Sequence, residues 1–463
     1  MTIREAAAAL RKRRLSAVEL TMAAIARIDR LNGNLHAFIA VTAPYALDRA
    51  RVADAELATG RDRGPLHGIP IAVKDLFATR GVRTTAGSRV FENLMPEYNA
   101  TVVDRLEKAG AILLGKLNMH ELAYGITSDN PFYGAVRNPW NDAHSPGGSS
   151  GGSGAAVAAN LVYAALGTDT GGSIRIPAAF CGTVGLKPTY GRVSRYGVLP
   201  LAYTLDHVGP LARSVTDTAI MLNAIAGHDP KDESSSRYPT IDYVPDDEAS
   251  IRGLRVGFPQ NCFFDRLDPD VESAVRGAFA RAEALGAVVK PVIVPDMAGI
   301  NATARIILLS EASAYLEPYM TEQSRFGPDV YSLLRQGRLV PATDYVNAQR
   351  LRRRARKNFE ELWREVDCLF TPTTPNTAPP IGAQTVRLGG GDEDVRLATT
   401  RLVRGINLLG LPALSVPCGL SRGGLPIGLQ IIGPAFQEGL ILKVGSALEG
   451  GGVGIPPCHL SSS

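Results

Sequence analysis

Apolar and polar residues follow two patterns along this chain, and together they predict alternating helices and strands. In the first pattern apolar positions recur every three to four residues, the spacing of an amphipathic helix, over residues 1–60, 101–109, 270–285 and 344–365. In the second, short unbroken apolar runs predict buried strands. These runs are 67–77, 110–119, the end of 155–169 (which passes from helix into strand), 254–260, 287–294, 366–375, 412–419 and 424–433.

Strands that alternate with helices predict an α/β fold with a large central mixed β-sheet, covered by helices on both faces. No repeat or long linker interrupts the 463 residues, so we expect a single domain over residues 1–463. Its expected parts are an N-terminal helical region at 1–65, a catalytic core at 66–230, the remaining sheet with substrate-covering helices at 231–448, and an atypical loose tail at 449–463.

The composition of the chain argues against several classes of function. The net charge of +4 is small, and the one basic run, RLRRRARK at 350–357, is interpreted as a solvated helix face rather than a phosphate-binding patch. No apolar run reaches the roughly 18 residues of a membrane span. The five cysteines are scattered and never spaced as CxxC, which favours a reducing cytoplasm over disulfides or a zinc site. We therefore expect a cytoplasmic protein without metal or cofactor, and without a nucleic-acid or membrane partner.

Two glycine-rich stretches concentrate the candidate chemistry, SPGGSSGGSGAAVAAN at 145–160 and LGTDTGGSIRIPAAFCG at 166–182. The first contains a GxSxG pattern around Ser149, but no strand precedes it and no histidine signature accompanies it. In the second, Thr170, Gly171 and Gly172 directly precede Ser173. Their backbone N–H groups could form an oxyanion hole beside the Ser173 hydroxyl, or the glycines could simply form a tight turn.

A serine nucleophile needs a base, and Lys74 is the candidate that the sequence offers. It ends an apolar run and stands beside Asp75. A lysine buried there would tend to be neutral and could accept a proton. The alternative is an ordinary surface or salt-bridged lysine.

Three motifs together identify a resemblance. GIPIAVKD at 68–75, GGSSGGS at 147–153 and GTDTGGSIRIPA at 167–178 resemble the fingerprint of the amidase signature family, in content and in spacing. The resemblance continues to about residue 448 through three further segments. These are GTVGLKPTYGRVSRYGV at 182–198, LDHVGPLARSV at 205–215 and GLPIGLQIIGPAF at 424–436.

The resemblance implies a role for each residue of the glycine-rich stretches. Ser173 would be the nucleophile, Ser149 (after a cis peptide bond from Gly148) a proton relay, and Lys74 the base that drives it. Ser150 would support the lysine through its hydroxyl. The oxyanion hole would consist of Thr170, Gly171 and Gly172.

The expected substrate is a small molecule. Tyr124, Phe132 and Tyr133 are expected to line an aromatic pocket, with the helical region 303–345 covering its other side. Such a pocket favours neutral, partly apolar amides and anilides, and it also admits aryl esters or carbamates. We expect the chain to need no other kind of subunit and consider a homodimer as its assembly.

Two other interpretations remain open. The chain also resembles the A subunit of a glutamine-dependent tRNA amidotransferase, but the acid that holds the glutamine ammonium there aligns with Thr400 here, and Arg352 aligns only loosely with the arginine that holds the carboxylate. A third, weaker interpretation is an α/β-hydrolase that uses Ser149 with a histidine.

Overall fold

The computed structural model describes residues 1–246 and 250–451. Helices alternate with strands through both ranges, as predicted. The helices are α1 (Ile3–Arg11), α2 (Ala17–Leu35), α3 (Ala43–Ala58), α4 (Thr101–Lys108), α5 (Gly151–Ala158), α6 (Arg175–Cys181), α7 (Val215–Ile225), α8 (Pro269–Ala284), α9 (Met297–Leu316), α10 (Pro328–Gly337), α11 (Ala342–Leu362), α12 (Val395–Thr400), α13 (Arg404–Leu409) and α14 (Glu438–Gly450). The strands are β1 (Phe38–Val41), β2 (Pro70–Lys74), β3 (Ile112–Leu117), β4 (Ala164–Asp169), β5 (Val184–Lys187), β6 (His207–Ala212), β7 (Arg255–Pro259), β8 (Val288–Val292), β9 (Cys368–Pro372), β10 (Thr385–Leu388), β11 (Gly391–Asp394), β12 (Ala413–Leu420) and β13 (Pro426–Ile432).

Within the described ranges, eleven of these strands form one sheet in the order β1-β3-β2-β4-β6-β5-β12-β13-β9-β7-β8. Strand β2 runs parallel to both β3 and β4, whereas β4 and β6 are antiparallel. Every residue of β2, β3, β4, β5 and β6 is buried, so the middle of the sheet is covered on both faces. The predicted α/β class with a mixed central sheet is confirmed.

The N-terminal region departs from the all-helical prediction. Helix α2 begins at a capping box formed by Ser16 and Glu19, and it ends at His36, whose φ of 49° is left-handed. The chain then enters β1, an edge strand that pairs antiparallel with β3. Three of the four residues in Phe38–Val41 are aromatic or β-branched, and such residues favour a strand over a helix.

Strands β5 and β6 also escaped prediction, because they carry residues that disfavour strands. Gly209 lies so close to the neighbouring strand that a Cβ on it would stand 2.1 Å from the Leu186 carbonyl oxygen. Pro210 follows directly in β6. Close approach between two backbones selects glycine here, and the local propensity for a loop is overridden by the sheet.

Of the predicted loose tail at 449–463, the first two residues belong instead to α14, which continues to Gly450. Residues 452–463 lie outside the described residues.

The sheet determines where the candidate residues lie. Strands β2 and β4 are parallel neighbours, so Lys74 and Asp169, their last residues, lie at the same edge of the sheet. Ligand sites of α/β sheets lie at this carboxyl edge.

Candidate active site

Lys74 is completely buried at the end of β2. Its Nζ lies 2.7 Å from Ser149 Oγ and 2.9 Å from Thr168 Oγ1, in hydrogen bonds with both hydroxyls. Burial lowers the pKa of Lys74 to about 7, and the carboxylates of Asp169 and Asp206 oppose that shift only in part. The amine is therefore available as a neutral base near physiological pH.

Ser149 is presented by a loop that is fixed against its neighbours. The peptide bond between Gly148 and Ser149 is cis, as the resemblance implied. The His120 backbone N–H donates to the Ser149 carbonyl at 3.0 Å. A Cβ on Gly148 would lie only 2.8–2.9 Å from backbone atoms of residues 126–128, so this position admits glycine alone without rearrangement. The Ser149 hydroxyl is thereby held toward Lys74 and not toward a histidine.

Ser150 contacts Thr168, and no hydrogen bond joins its hydroxyl to Lys74 among the described residues. The hydroxyl donates to the Thr168 carbonyl at 3.2 Å and accepts from the Thr168 backbone N–H at 3.3 Å. Thr168 in turn supplies the second hydroxyl to the lysine amine. Any support that Ser150 gives to the lysine therefore acts through Thr168 of β4.

The turn from β4 to α6 is organised by a buried ion pair between Asp169 and Arg175, with Asp169 Oδ1 3.0 Å from one guanidinium nitrogen. The same carboxylate accepts the Gly172 N–H at 2.7 Å and the Ile174 N–H at 3.1 Å. Despite burial, the guanidinium of Arg175 holds the pKa of Asp169 well below its usual range. The carboxylate is thus the centre around which the glycine turn closes.

This geometry corrects the expected oxyanion hole at one residue. The Gly172 N–H points to Asp169 and is already used, so it does not face a substrate. The N–H groups of Thr170 and Gly171 are the remaining predicted donors. The Thr170 side chain is fixed separately, since its hydroxyl donates to Asp206 Oδ1 at 2.6 Å.

A cavity of about 70 Å³ opens directly above this turn. Residues of helices α9, α10, α12 and α13 line it, and of these only α9 and α10 carry lining residues within the range 303–345. The lining residues are Ala123, Tyr124, Gly125, Ile126, Thr170, Gly171, Ser173, Leu201, Arg305, Leu308, Leu309, Leu333, Arg396, Leu397, Thr400 and Arg404. Ser173 lies at the wall of this cavity, and its backbone carbonyl accepts the N–H of Ser150, the residue after Ser149, at 3.2 Å.

Of the three predicted pocket aromatics, only Tyr124 lines this cavity. Phe132 and Tyr133 belong to a turn whose two backbone N–H groups both donate to Asn130 Oδ1. The Phe132 ring lies under the Arg89 guanidinium, 4.9 Å from its centroid. Turn formation directs these two aromatics away from the cavity.

Cationic side chains, which the sequence pattern did not predict, give the cavity a charge different from the neutral pocket expected. Arg305, Arg396 and Arg404 all line it. They come from three separate helices, so no local motif signals them. Arg352 plays no such part: its guanidinium donates to the carbonyls of Leu408 and Thr204, away from the cavity.

The roles of Asp169 and Arg175 were also not predicted, although a signal for them exists. An acid and a base flank the glycine turn within one short motif, and oppositely charged residues on both sides of a glycine turn suit a buried pair. Arg175 also donates to Gln430 Oε1 and to Asn407 Oδ1, both at 2.6 Å. These contacts tie the turn to β13 and α13.

A buried lysine hydrogen-bonded to one serine, with a second serine at a small cavity, is an arrangement that suits a serine-dependent hydrolase. Comparison with known proteins places the chain within that class. The family described as Amidase matches residues 19–442. The A subunit of the glutamyl-tRNA(Gln) amidotransferase of Anaeromyxobacter sp. (strain K) is 46% identical, over 96% of this chain and 95% of the relative.

Solved structures of similar proteins support the same family. A structure described as a vestigial protein complex that reveals the evolutionary origins of an s-triazine catabolic enzyme has a TM-score of 0.94 at 38% identity, over 98% of this chain and 99% of that one. The peptide amidase of Stenotrophomonas maltophilia has a TM-score of 0.88 at 33% identity, over 100% and 99%. The chain belongs to the amidase signature family, and it is a hydrolase that acts on C–N bonds.

The described residues also bear on metals and membranes. In those ranges, no three or more His, Cys, Asp or Glu side chains are grouped so as to hold a metal ion. No helix of that part of the chain has the length and apolar character needed to cross a membrane.

Proposed function

We propose that this protein hydrolyses amide-type C–N bonds by itself, through an acyl-enzyme on Ser173 and a Ser149–Lys74 proton relay. The single observation that carries the proposal is the 2.7 Å contact between Lys74 Nζ and Ser149 Oγ in a fully buried setting. Ser173, at the floor of the cavity, is the serine that a substrate carbonyl can reach.

The proton path follows from the order of the three groups. As Ser173 Oγ attacks the carbonyl carbon, its proton passes to Ser149, and the Ser149 proton passes to the neutral Lys74 amine. The backbone N–H groups of Thr170 and Gly171 face the oxygen on which negative charge develops. When the C–N bond breaks, the leaving nitrogen takes its proton from Ser149, which Lys74 reprotonates.

Deacylation repeats the path with water as the nucleophile. Water gives a proton to the relay, attacks the acyl carbon, and releases the acid while Ser173 recovers its hydroxyl proton. A carbamate or urea carbonyl can replace the amide carbonyl, because the leaving group is again a nitrogen that the relay can protonate.

A covalent probe tests the nucleophile. Methanesulfonyl fluoride is small and uncharged, and we expect it to modify Ser173. Peptide mapping by mass spectrometry should find the label there, and Ser173→Ala should remove it. Modification of Ser149 alone would contradict the assignment and favour a GxSxG nucleophile.

A second candidate function is that of the A subunit in a glutamine-dependent amidotransferase. The name of the 46%-identical relative favours it. Against it, Thr400 lines the cavity where the ammonium-binding acid is expected, and its hydroxyl donates to the Arg396 carbonyl at 2.7 Å. In the described part of the chain no Asp or Glu lines the cavity, so nothing there complements the glutamine ammonium.

A substrate panel separates the two candidates. The isolated chain is assayed with L-glutamine, a nitroanilide, an aryl carbamate and simple aliphatic amides. We expect turnover of at least one amide or carbamate without any added protein, and weak or no glutamine hydrolysis. Robust glutamine turnover with no other activity would favour the amidotransferase function.

A further inference from the structure

We propose that the substrate of this site is a short amide, urea or carbamate that carries a carboxylate close to the scissile carbonyl, held by Arg305, Arg396 and Arg404. This inference rests on the proposed function and adds the substrate class. It replaces the neutral, partly apolar substrate that the sequence favoured.

The proposal rests mainly on the surroundings of the Arg404 guanidinium. In the described ranges its guanidinium makes no hydrogen bond or salt bridge, and its Nε is buried without a partner. It lies beside the predicted oxyanion donors, since a Cβ on Gly171 would stand 3.9 Å from Arg404 Nε. Arg404 is half-buried, and a partly desolvated cation without a partner favours the binding of an anion.

The neighbouring charges do not supply that anion. Burial lowers the pKa of Arg404 most, Arg305 and Arg396 lower it further, and Tyr124 and Asp394 act in the opposite direction. Arg396 has an outward partner, Asp329 at 3.4 Å, and Arg305 has none among the described residues. The cavity thus concentrates positive charge on one wall.

Tyr124 supplies a neutral donor to the same wall. Its ring is buried, with 5% of the residue exposed, and its hydroxyl has no hydrogen-bond partner in the described part of the chain. Burial raises the pKa of Tyr124, so the phenol stays protonated and can donate. A carboxylate offers acceptors for the phenol and for bidentate guanidinium contacts together.

Size limits the acyl part. A cavity of about 150 Å³ holds benzene, and the space above Ser173 is about 70 Å³. The space directly above Ser173 suits a carbonyl and a carboxylate joined by a few atoms better than it suits an aryl acyl group. A larger adjoining cavity of about 620 Å³ shares Ile126, Arg305, Leu333, Arg396 and Leu397 with it, and offers room for the leaving group or for entry.

The same wall disfavours glutamine. Glutamine brings a carboxylate but also an ammonium, and in the described part of the chain the cavity above Ser173 is lined by three arginines and by no Asp or Glu, so an ammonium there would be repelled. Glutaramate is glutamine without the amino group. The pair glutaramate and glutamine therefore isolates the effect of the ammonium, as succinamate and butanamide isolate that of the carboxylate.

The test measures kcat/KM of the full chain for succinamate and glutaramate against butanamide and pentanamide. We expect the carboxylated amides to be preferred by about 10- to 100-fold, the range of one hydrogen bond to a charged group. Arg404→Gln and Arg305→Gln should each remove most of that preference, chiefly by raising KM. Arg353→Gln, an exposed arginine on α11, is the matched control and should behave as wild type.

Binding gives a second readout. Malonate, succinate and glutarate are titrated by calorimetry, and at least one should bind the wild type and bind Arg305→Gln more weakly. Arg305 is exposed, so this variant carries the test even where Arg404→Gln fails to fold. Equal turnover of anionic and neutral amides, or no binding of any dicarboxylate, would overturn the inference.

The two proposals fail in different ways. Absence of a methanesulfonyl label on Ser173 overturns the proposed function itself. A labelled Ser173 together with indifference to the substrate carboxylate overturns only the anion site.

Discussion

At the scale of single residues, the proposed mechanism makes the activity depend on the protonation state of Lys74. Its pKa of about 7 means that the amine loses its proton as the pH rises through neutrality. Because the neutral amine is the base, we expect kcat/KM to rise with pH through about 7 and then to level off. Initial rates on an amide between pH 5 and 9.5 check this. A profile that falls over that range would exclude Lys74 as the base.

Removal of the base is the complementary prediction. Lys74→Met should lower kcat by about 10²- to 10⁴-fold, the usual contribution of general base catalysis. Lys290→Met, at an exposed position on β8, is the control and should retain wild-type rates. Near-normal activity in Lys74→Met would require another base.

At the scale of elements, the turn between β4 and α6 depends on the Asp169–Arg175 pair. Asp169→Asn leaves Arg175 as an uncompensated buried cation, and we expect it to cost about 3–5 kcal/mol of unfolding free energy. Urea denaturation monitored by circular dichroism measures it. Glu272→Gln breaks an exposed pair with Arg276 and should cost under about 0.5 kcal/mol. Similar losses of unfolding free energy in both variants would show that the Asp169–Arg175 pair does not organise the turn.

The Ser149 loop gives a second prediction at this scale. In Gly148→Ala the new methyl group meets backbone rather than flexible side chains, so the loop must shift and Ser149 must leave Lys74. We expect a large loss of kcat together with a lower Tm. Gly277→Ala on α8 meets no atom within 4 Å and should leave activity intact and raise Tm slightly. An active Gly148→Ala enzyme would show that the loop tolerates displacement.

At the scale of the whole molecule, the buried lysine couples stability to pH. Between pH 7 and its usual value near 10.5, Lys74 binds fewer protons in the folded than in the unfolded chain, so its contribution to unfolding free energy rises with pH. Across this window the wild type should gain up to about 5 kcal/mol relative to Lys74→Met. Paired urea titrations at pH 7 and pH 10 measure the change. A constant difference between the two proteins would mean that Lys74 is charged when folded.

The sequence by itself determined the alternation of elements, and its motifs brought out Lys74, Ser149 and Ser173 as the candidate residues. Hydrophobic periodicity is a local property, and so is a motif in which glycines surround a serine. For the same reason local propensity failed at β5 and β6, where contacts distant in the chain make strands out of residues that favour loops.

Only the tertiary structure decided which groups face one another. In the folded chain the Gly172 N–H donates a hydrogen bond to Asp169, and the Ser150 hydroxyl donates one to the Thr168 carbonyl. Which acceptor each donor reaches depends on the positions of the groups in space. It also brought Arg305, Arg396 and Arg404 from three helices to one wall. Charge in a cavity is a sum over elements that are far apart in sequence, and packing alone selects which of them contribute.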